Sequence, residues 1–236
     1  MHYIPILSTL VTFAFAVAVF RRFLLRHGPH LLMWTIGLLF YGIGTLSEVI
    51  LGLTFSSLVL KLWYLCGAIL TAAWLGQGTL HLLVRRRGVA WVLTGILAGI
   101  SILVGGLVLT TPLTSAATAY QVSQPISSQY QNILGRSGLI IALTIVFNIY
   151  GTLVLVGGAI YSAYIFWRKR VLFNRMIGNI LIAAGALAPA MGGSFIKAGL
   201  PDFLYLTELV GAVLMYIGFL QTTTVPAVEP APASSR

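Results

Sequence analysis

The sequence predicts an all-α, polytopic membrane protein with seven transmembrane helices, its N-terminus outside and its C-terminus cytoplasmic. Three observations carry that expectation. Of 236 residues, 58% are hydrophobic and only 8% are charged, with a mean hydropathy of +0.98. An ordinary soluble domain carries about 25% charge. The apolar residues gather in runs of bilayer-spanning length, roughly 20 residues each. Fourteen Lys+Arg face four Asp+Glu, a net charge of +10, and the surplus falls on alternate connections, as in cytoplasmic loops. This composition excludes a soluble globular domain, a disordered chain and a nucleic-acid binder. The single cysteine, Cys66, excludes a disulfide framework, an iron–sulfur cluster and a thiolate zinc site.

The seven apolar runs cover 3–20, 31–53, 58–83, 89–110, 138–166, 176–199 and 203–221. The transmembrane domain is thus 1–221, followed by a tail at 222–236. No basic residue precedes the first run and Arg21-Arg22 follow it. It therefore reads as a retained span with its N-terminus outside, not as a cleaved signal peptide. In this orientation the inner loops and tail hold Arg21, Arg22, Arg26, Arg85, Arg86, Arg87, Arg168, Lys169, Arg170, Arg175 and Arg236. The outer side holds Lys61, Arg136 and Lys197, so the ratio is eleven to three. A six-span arrangement would put Arg-rich loops on opposite sides, which the same rule disfavours. The plasma membrane is the expected location.

Span two carries Trp34, Gly37, Tyr41, Gly44, Thr45 and Glu48 along one helical stripe, its least lipid-like face. Span three opens with Lys61 and places Gly67, Thr71, Trp74, Gly78 and His81 on one face. Its Ala68, Ala72 and Gly76 form a small-residue ridge. In span four, Gly95 and Gly99 make a small-xxx-small pair for helix packing, because small residues let backbones approach within lipid. Span five contributes Asn148. Span six carries Ala184, Ala188 and Gly192 beside Gly185, Pro189 and Gly193, and the mid-span proline predicts a kink. Asn179 adds a neutral polar group there. Asn148 and Asn179 are expected to bond across helices. Gly199-Leu200-Pro201-Asp202 is a helix stop and restart. Trp63 and Tyr64 near the outer face, and Trp91 and Trp167 near the inner face, read as membrane-interface anchors.

The long outer segment, about Thr111 to Ser137, is expected to be a solvated connector, or else a lid or docking surface on the outer face. The tail TTTVPAVEPAPASSR predicts an extended, flexible segment, too short for an output domain.

Charge inside a membrane is costly, so each acid and base within a span is a functional candidate. Glu48 in the outer third of span two and Lys61 a short turn away form one expected pair. Glu208 in span seven and Lys197 at the end of span six form another. With Asp202, these residues crowd toward the outer leaflet. They read either as a polar cavity among spans two, three, six and seven, or as two hairpin locks. Tyr41, Thr71, Trp74 and Asn148 are the polar and aromatic side chains expected to accompany them as ligand or coupling residues.

No cofactor or metal is expected. His2, His27, His30 and His81 lie toward the span ends, so paired haem ligands at mid-depth are missing. Span seven lacks the lysine a retinal Schiff base would need. No Gly-x-Ser-x-Gly, His-Glu-x-x-His or phosphate-binding loop occurs, and no nucleophile–base set is visible.

Residues 21–54, RRFLLRHGPHLLMWTIGLLFYGIGTLSEVILGLT, and 60–87, LKLWYLCGAILTAAWLGQGTLHLLVRRR, resemble uncharacterised bacterial seven-helix integral membrane proteins. They are also faintly similar to the seven-helix sensor region of some bacterial histidine kinases. There an acidic residue ends span two and an aromatic-glycine run opens span three, as Glu48 and Trp63-Tyr64-Leu65-Cys66-Gly67 do here. The short tail, the missing chemistry and the small-residue helix faces lead to a non-enzymatic expectation: a sensor-like or accessory subunit that binds a partner membrane protein or a small ligand at its outer side. The alternative is a small ion- or proton-coupled transporter using the outer carboxylates, and the third reading is a lipid-binding or lipid-modifying enzyme. The lipid bilayer is the expected partner, with no nucleic acid.

Overall fold

A computed structural model describes residues 3–84, 86–169, 173–199 and 202–223, without the side chains of 87, 192–194, 196, 197 and 202. Its named elements are helical. They are α1 (Tyr3–Arg26), α2 (Pro29–Leu51), α3 (Ser57–Leu62), a π-helical stretch (Trp63–Leu70), α4 (Thr71–Leu83), α5 (Arg87–Thr110), a 3-10 turn (Ser115–Ala119), α6 (Ile126–Ile133), α7 (Gly138–Lys169), α8 (Phe173–Lys197) and α9 (Asp202–Thr223). From α3 through α4 the chain runs as one helix, Ser57–Leu83. Six helices among the described residues are long and apolar enough to cross a membrane, and α8 stands outside those six. Several apolar helices of this kind make the chain compatible with a multi-pass protein in contact with lipid.

Packing follows a closed ring. α1 packs on α2, α2 on α4, α4 on α7, α7 on α8, α8 on α9, and α9 returns to α1. α5 lies outside the ring, against α4, the π stretch, α3 and α7. One end of the ring, the acidic end, holds Glu48 and Glu208. The opposite, basic end holds Arg22, Arg26 and Arg175.

Small residues set the ring's close contacts, since lipid supplies no hydrophobic push between helices. A Cβ added at Gly151 of α7 would lie 2.2 Å from the Ala72 carbonyl carbon, and one at Gly76 would lie 3.0 Å from the Gly151 Cα. The Ala72–Gly76 ridge is therefore a true seam. On α8 and α9, Gly178 faces Gly218 and Gly185 faces Gly211. There a Cβ at either member of each pair would come within 2.6–2.7 Å of the other's carbonyl oxygen. Pro189 lies inside α8, with its ring against Gly211. The expected packing of Gly95 and Gly99 does not occur: nothing lies within 4 Å of a Cβ at either position. Both point away from the ring, because α5 turns its other face inward.

Polar pegs hold that inward face of α5. Gln77 of α4, fully buried, donates from Nε2 to the Ala90 carbonyl at 3.0 Å and to Thr94 Oγ1 at 2.7 Å, and its Oε1 accepts from Tyr150. His81 Nε2 meets Thr94 Oγ1 at 2.8 Å, and Trp74 Nε1 donates to Ser101 Oγ at 3.2 Å.

The segment Thr111–Ser137 corrects the expectation of a solvated connector. It folds over the acidic end as a cap. The Thr114 amide donates to the Ile133 carbonyl at 2.9 Å beside a Leu113–Leu134 bridge. Ile126, Ile133 and Leu134 are buried, each burial contributing roughly 1.5–3 kcal/mol. Arg136 stacks its guanidinium over Tyr130 at 4.8 Å and Tyr64 at 5.5 Å. Tyr120 Oη donates to the Leu51 carbonyl at 2.8 Å. Burial pushes that phenol above its ordinary range, which keeps it a donor. The polar Ser/Gln/Thr composition hid this fold, because its few apolar residues are spaced irregularly.

At the turn from α8 to α9, Gly199 adopts φ +80°, a left-handed conformation that suits glycine just past a helix end. The stop and restart are therefore as the sequence predicts. The tail beyond 223, Leu200 and Pro201 lie outside the described residues.

Candidate functional site

Inside the ring, toward the acidic end, lies a cavity of about 220 Å³. Every ring helix except α1 lines it: Tyr41 and Thr45 from α2, Trp63 and Gly67 from the π stretch, Thr71 and Leu75 from α4, Asn148 and Leu155 from α7, Pro189 from α8, and Glu208 from α9. The cap closes it with Ser127 and Tyr130 of α6. A second cavity of about 270 Å³ lies between the cap and the ends of α1, α2 and α9, and Glu48, Tyr120 and Tyr205 line it. Glu48 and Glu208 are immediate neighbours and stand where the two spaces meet.

The π-helical stretch aims these groups. An i→i+5 turn carries an extra residue and leaves carbonyls without their α-helical partner; such turns are frequent at functional sites. Here the Cys66 carbonyl accepts from Thr71 Oγ1 at 2.7 Å and the Ala68 carbonyl accepts from Asn148 Nδ2 at 2.7 Å. Within α4 the single polar face expected for span three is shared between neighbours. Thr71 turns into the cavity, whereas Trp74 and His81 turn outward to α5. Gly67 meets Gly44, and Gly78 seats the Trp34 indole.

The π stretch also turns Trp63 inward. Its Nε1 donates to Glu48 Oε1 at 2.9 Å, in place of the expected Glu48–Lys61 pair. Lys61 Nζ instead donates to the Leu109 carbonyl at 2.8 Å. Trp63 and Tyr64, expected as interface anchors, are both buried, and Tyr64 Oη bonds Thr144 Oγ1 at 3.0 Å. Trp91 and Trp167 are exposed. The expected Glu208–Lys197 pair involves the Lys197 side chain, which lies outside the described residues. Tyr41 Oη donates to the Glu208 backbone carbonyl at 2.7 Å, which locks α2 against α9 beside the carboxyl.

Three orphaned polar atoms gather here. Glu48 Oε2, Glu208 Oε2 and Ser127 Oγ are buried without a hydrogen-bond partner. Leaving one such group bare costs roughly 1–3 kcal/mol, and more when it is charged. The glutamates stand out in the sequence as rare acids. Ser127, Trp63 and the cap's Tyr130 were missed, because nothing in a polar loop or an aromatic doublet shows which way it folds. Gln77 was missed as well; a lone glutamine in an apolar run was its only signal.

No family model, curated protein or solved structure matches this sequence.

Proposed function

We propose that this is a seven-span plasma-membrane protein, N-terminus outside and C-terminus cytoplasmic, with α8 as the additional span. It acts as a non-enzymatic, sensor-like module whose outer cavity binds a small, largely apolar molecule carrying an amine. The observation behind this reading is the pair of buried carboxyls, each with an unpartnered oxygen, at an aromatic and aliphatic cavity. An ammonium placed between Glu208 and Glu48 supplies the missing donors. Tyr41 and Trp63 offer faces that attract a cation, and Leu75, Leu155 and Met215 form an apolar floor. A hard divalent cation asks for six or more oxygen ligands, and these walls are mostly carbon.

Phenethylamine tests the reading against 2-phenylethanol, which has the same skeleton without the charge. The amine is expected to raise the thermal unfolding temperature of the protein in detergent, and the alcohol is not. Equal shifts from both would remove the carboxyls from the account.

A transporter is the second reading, favoured by one further observation. Below the cavity floor, Phe15, Trp34, Leu38, Leu75, Leu155, Ile182, Met215 and Phe219 surround a small apolar space of about 30 Å³. Another cavity opens at the basic end beyond this plug, and Trp34, Ile182 and Phe219 line both spaces. Saturable phenethylamine uptake into proteoliposomes supports this reading, and binding without uptake favours the sensor.

A further inference from the structure

The mouth at the basic end is a site in its own right. It encloses about 410 Å³ among α1, α2, α4, α7, α8 and α9. Three guanidiniums, Arg22 and Arg26 of α1 and Arg175 of α8, line it with His30 of α2. Arg22 lies in the repulsive field of both other arginines, and His30 lies in that of Arg22. Among the described residues, not one Asp or Glu lines this space. The chain has four acids. Glu48 and Glu208 lie at the opposite end, Asp202 begins α9 at that same far end, and Glu229 falls outside the described residues. Like charges brought together without a counter-charge repel unless an anion joins them. Arginine is the side chain whose planar fork matches a phosphate with paired hydrogen bonds. Below the guanidiniums the wall turns apolar, with Trp34 and Phe166.

We infer that this mouth is a binding site for a phosphate-bearing anion, held by Arg22, Arg26 and Arg175. Two sources share that chemistry: the headgroup of an anionic phospholipid, and a soluble phosphate compound. Basic pockets between transmembrane helices are known to take lipid headgroups. The inference rests on the basic mouth alone and stands whether or not the acidic cavity binds an amine.

The test uses the full chain in nanodiscs. In discs of phosphatidylcholine alone, pyrophosphate is titrated and thermal unfolding is followed. In a parallel arm, phosphatidylglycerol replaces part of the phosphatidylcholine. Stabilisation by pyrophosphate in neutral discs identifies a soluble anion, and stabilisation only by phosphatidylglycerol identifies a lipid headgroup. Either effect is expected to fall at least tenfold in apparent affinity in Arg22→Gln and Arg175→Gln. It is expected to persist in Arg168→Gln, which removes an exposed base outside the mouth. Absence of stabilisation in both arms, or equal loss in Arg168→Gln, would overturn the inference. Arg→Gln removes the charge and shortens the side chain but keeps it polar, and unliganded unfolding temperatures near wild type confirm that each variant folds.

Discussion

At the scale of single residues, the contact between Glu48 and Trp63 decides how the site is built. The carboxyl is buried, and the indole supplies the donor that reaches its Oε1. Trp63→Phe keeps the aromatic bulk and removes that donor. The variant is expected to lose roughly 1–3 kcal/mol, the cost of a buried group left unpaired. Thermal or denaturant unfolding in detergent measures it. Adding Glu48→Gln to Trp63→Phe should recover part of the loss, because a bare amide is less costly than a bare carboxyl. Glu48 was legible from the sequence because an acid within an apolar run needs a reason. Its partner was not legible. Lys61 is a near cation in sequence, yet Trp63 is brought round by the π turn, whose extra residue leaves no periodic signature.

At the scale of helices, the same small-residue pattern has two outcomes. A Cβ at Gly151 would strike the Ala72 backbone, whereas one at Gly99 would enter open space. Gly151→Ala is therefore expected to destabilise the bundle by about 1–3 kcal/mol, as overpacking does. Gly99→Ala should stay within about 0.5 kcal/mol of wild type. Paired unfolding measurements check both, and a reversed order would contradict the ring arrangement. Asn148→Ala removes the donor to the Ala68 carbonyl and should cost about 0.6–2 kcal/mol, the range of polar contacts between membrane helices. Helix positions were legible here because hydropathy and length suffice. Span two starts and ends about two residues earlier than expected, since Pro29 opens the helix and Gly52 closes it. Which face of each helix turns inward was legible for α2, whose stripe of Trp34, Gly37, Tyr41, Gly44 and Glu48 does face the ring. It was not legible for α5, where Gln77, Trp74 and His81 of α4 choose the face.

At the scale of the whole molecule, the two mouths are lined by charges of opposite sign. Carboxyls occupy one mouth and arginines the other, with an apolar plug between. The orientation proposed for that axis has a direct check. Cys66 is buried, and in a Cys66→Ser background single cysteines report sidedness. Val122→Cys in the cap should react with a membrane-impermeant maleimide on intact cells. Arg168→Cys at the end of α7 should react only after permeabilisation. The opposite pattern would invert the molecule and place the amine site inside.

The proposed amine site requires Glu208 and Glu48 together to hold an ammonium in the cavity beneath the cap. Isothermal titration of phenethylamine into the nanodisc-embedded protein tests it most directly, with wild type beside Glu208→Gln and Glu48→Gln. Saturable binding to wild type is expected, weakened at least tenfold in each variant, about 1.4 kcal/mol or more. Binding of equal strength in all three proteins would contradict it.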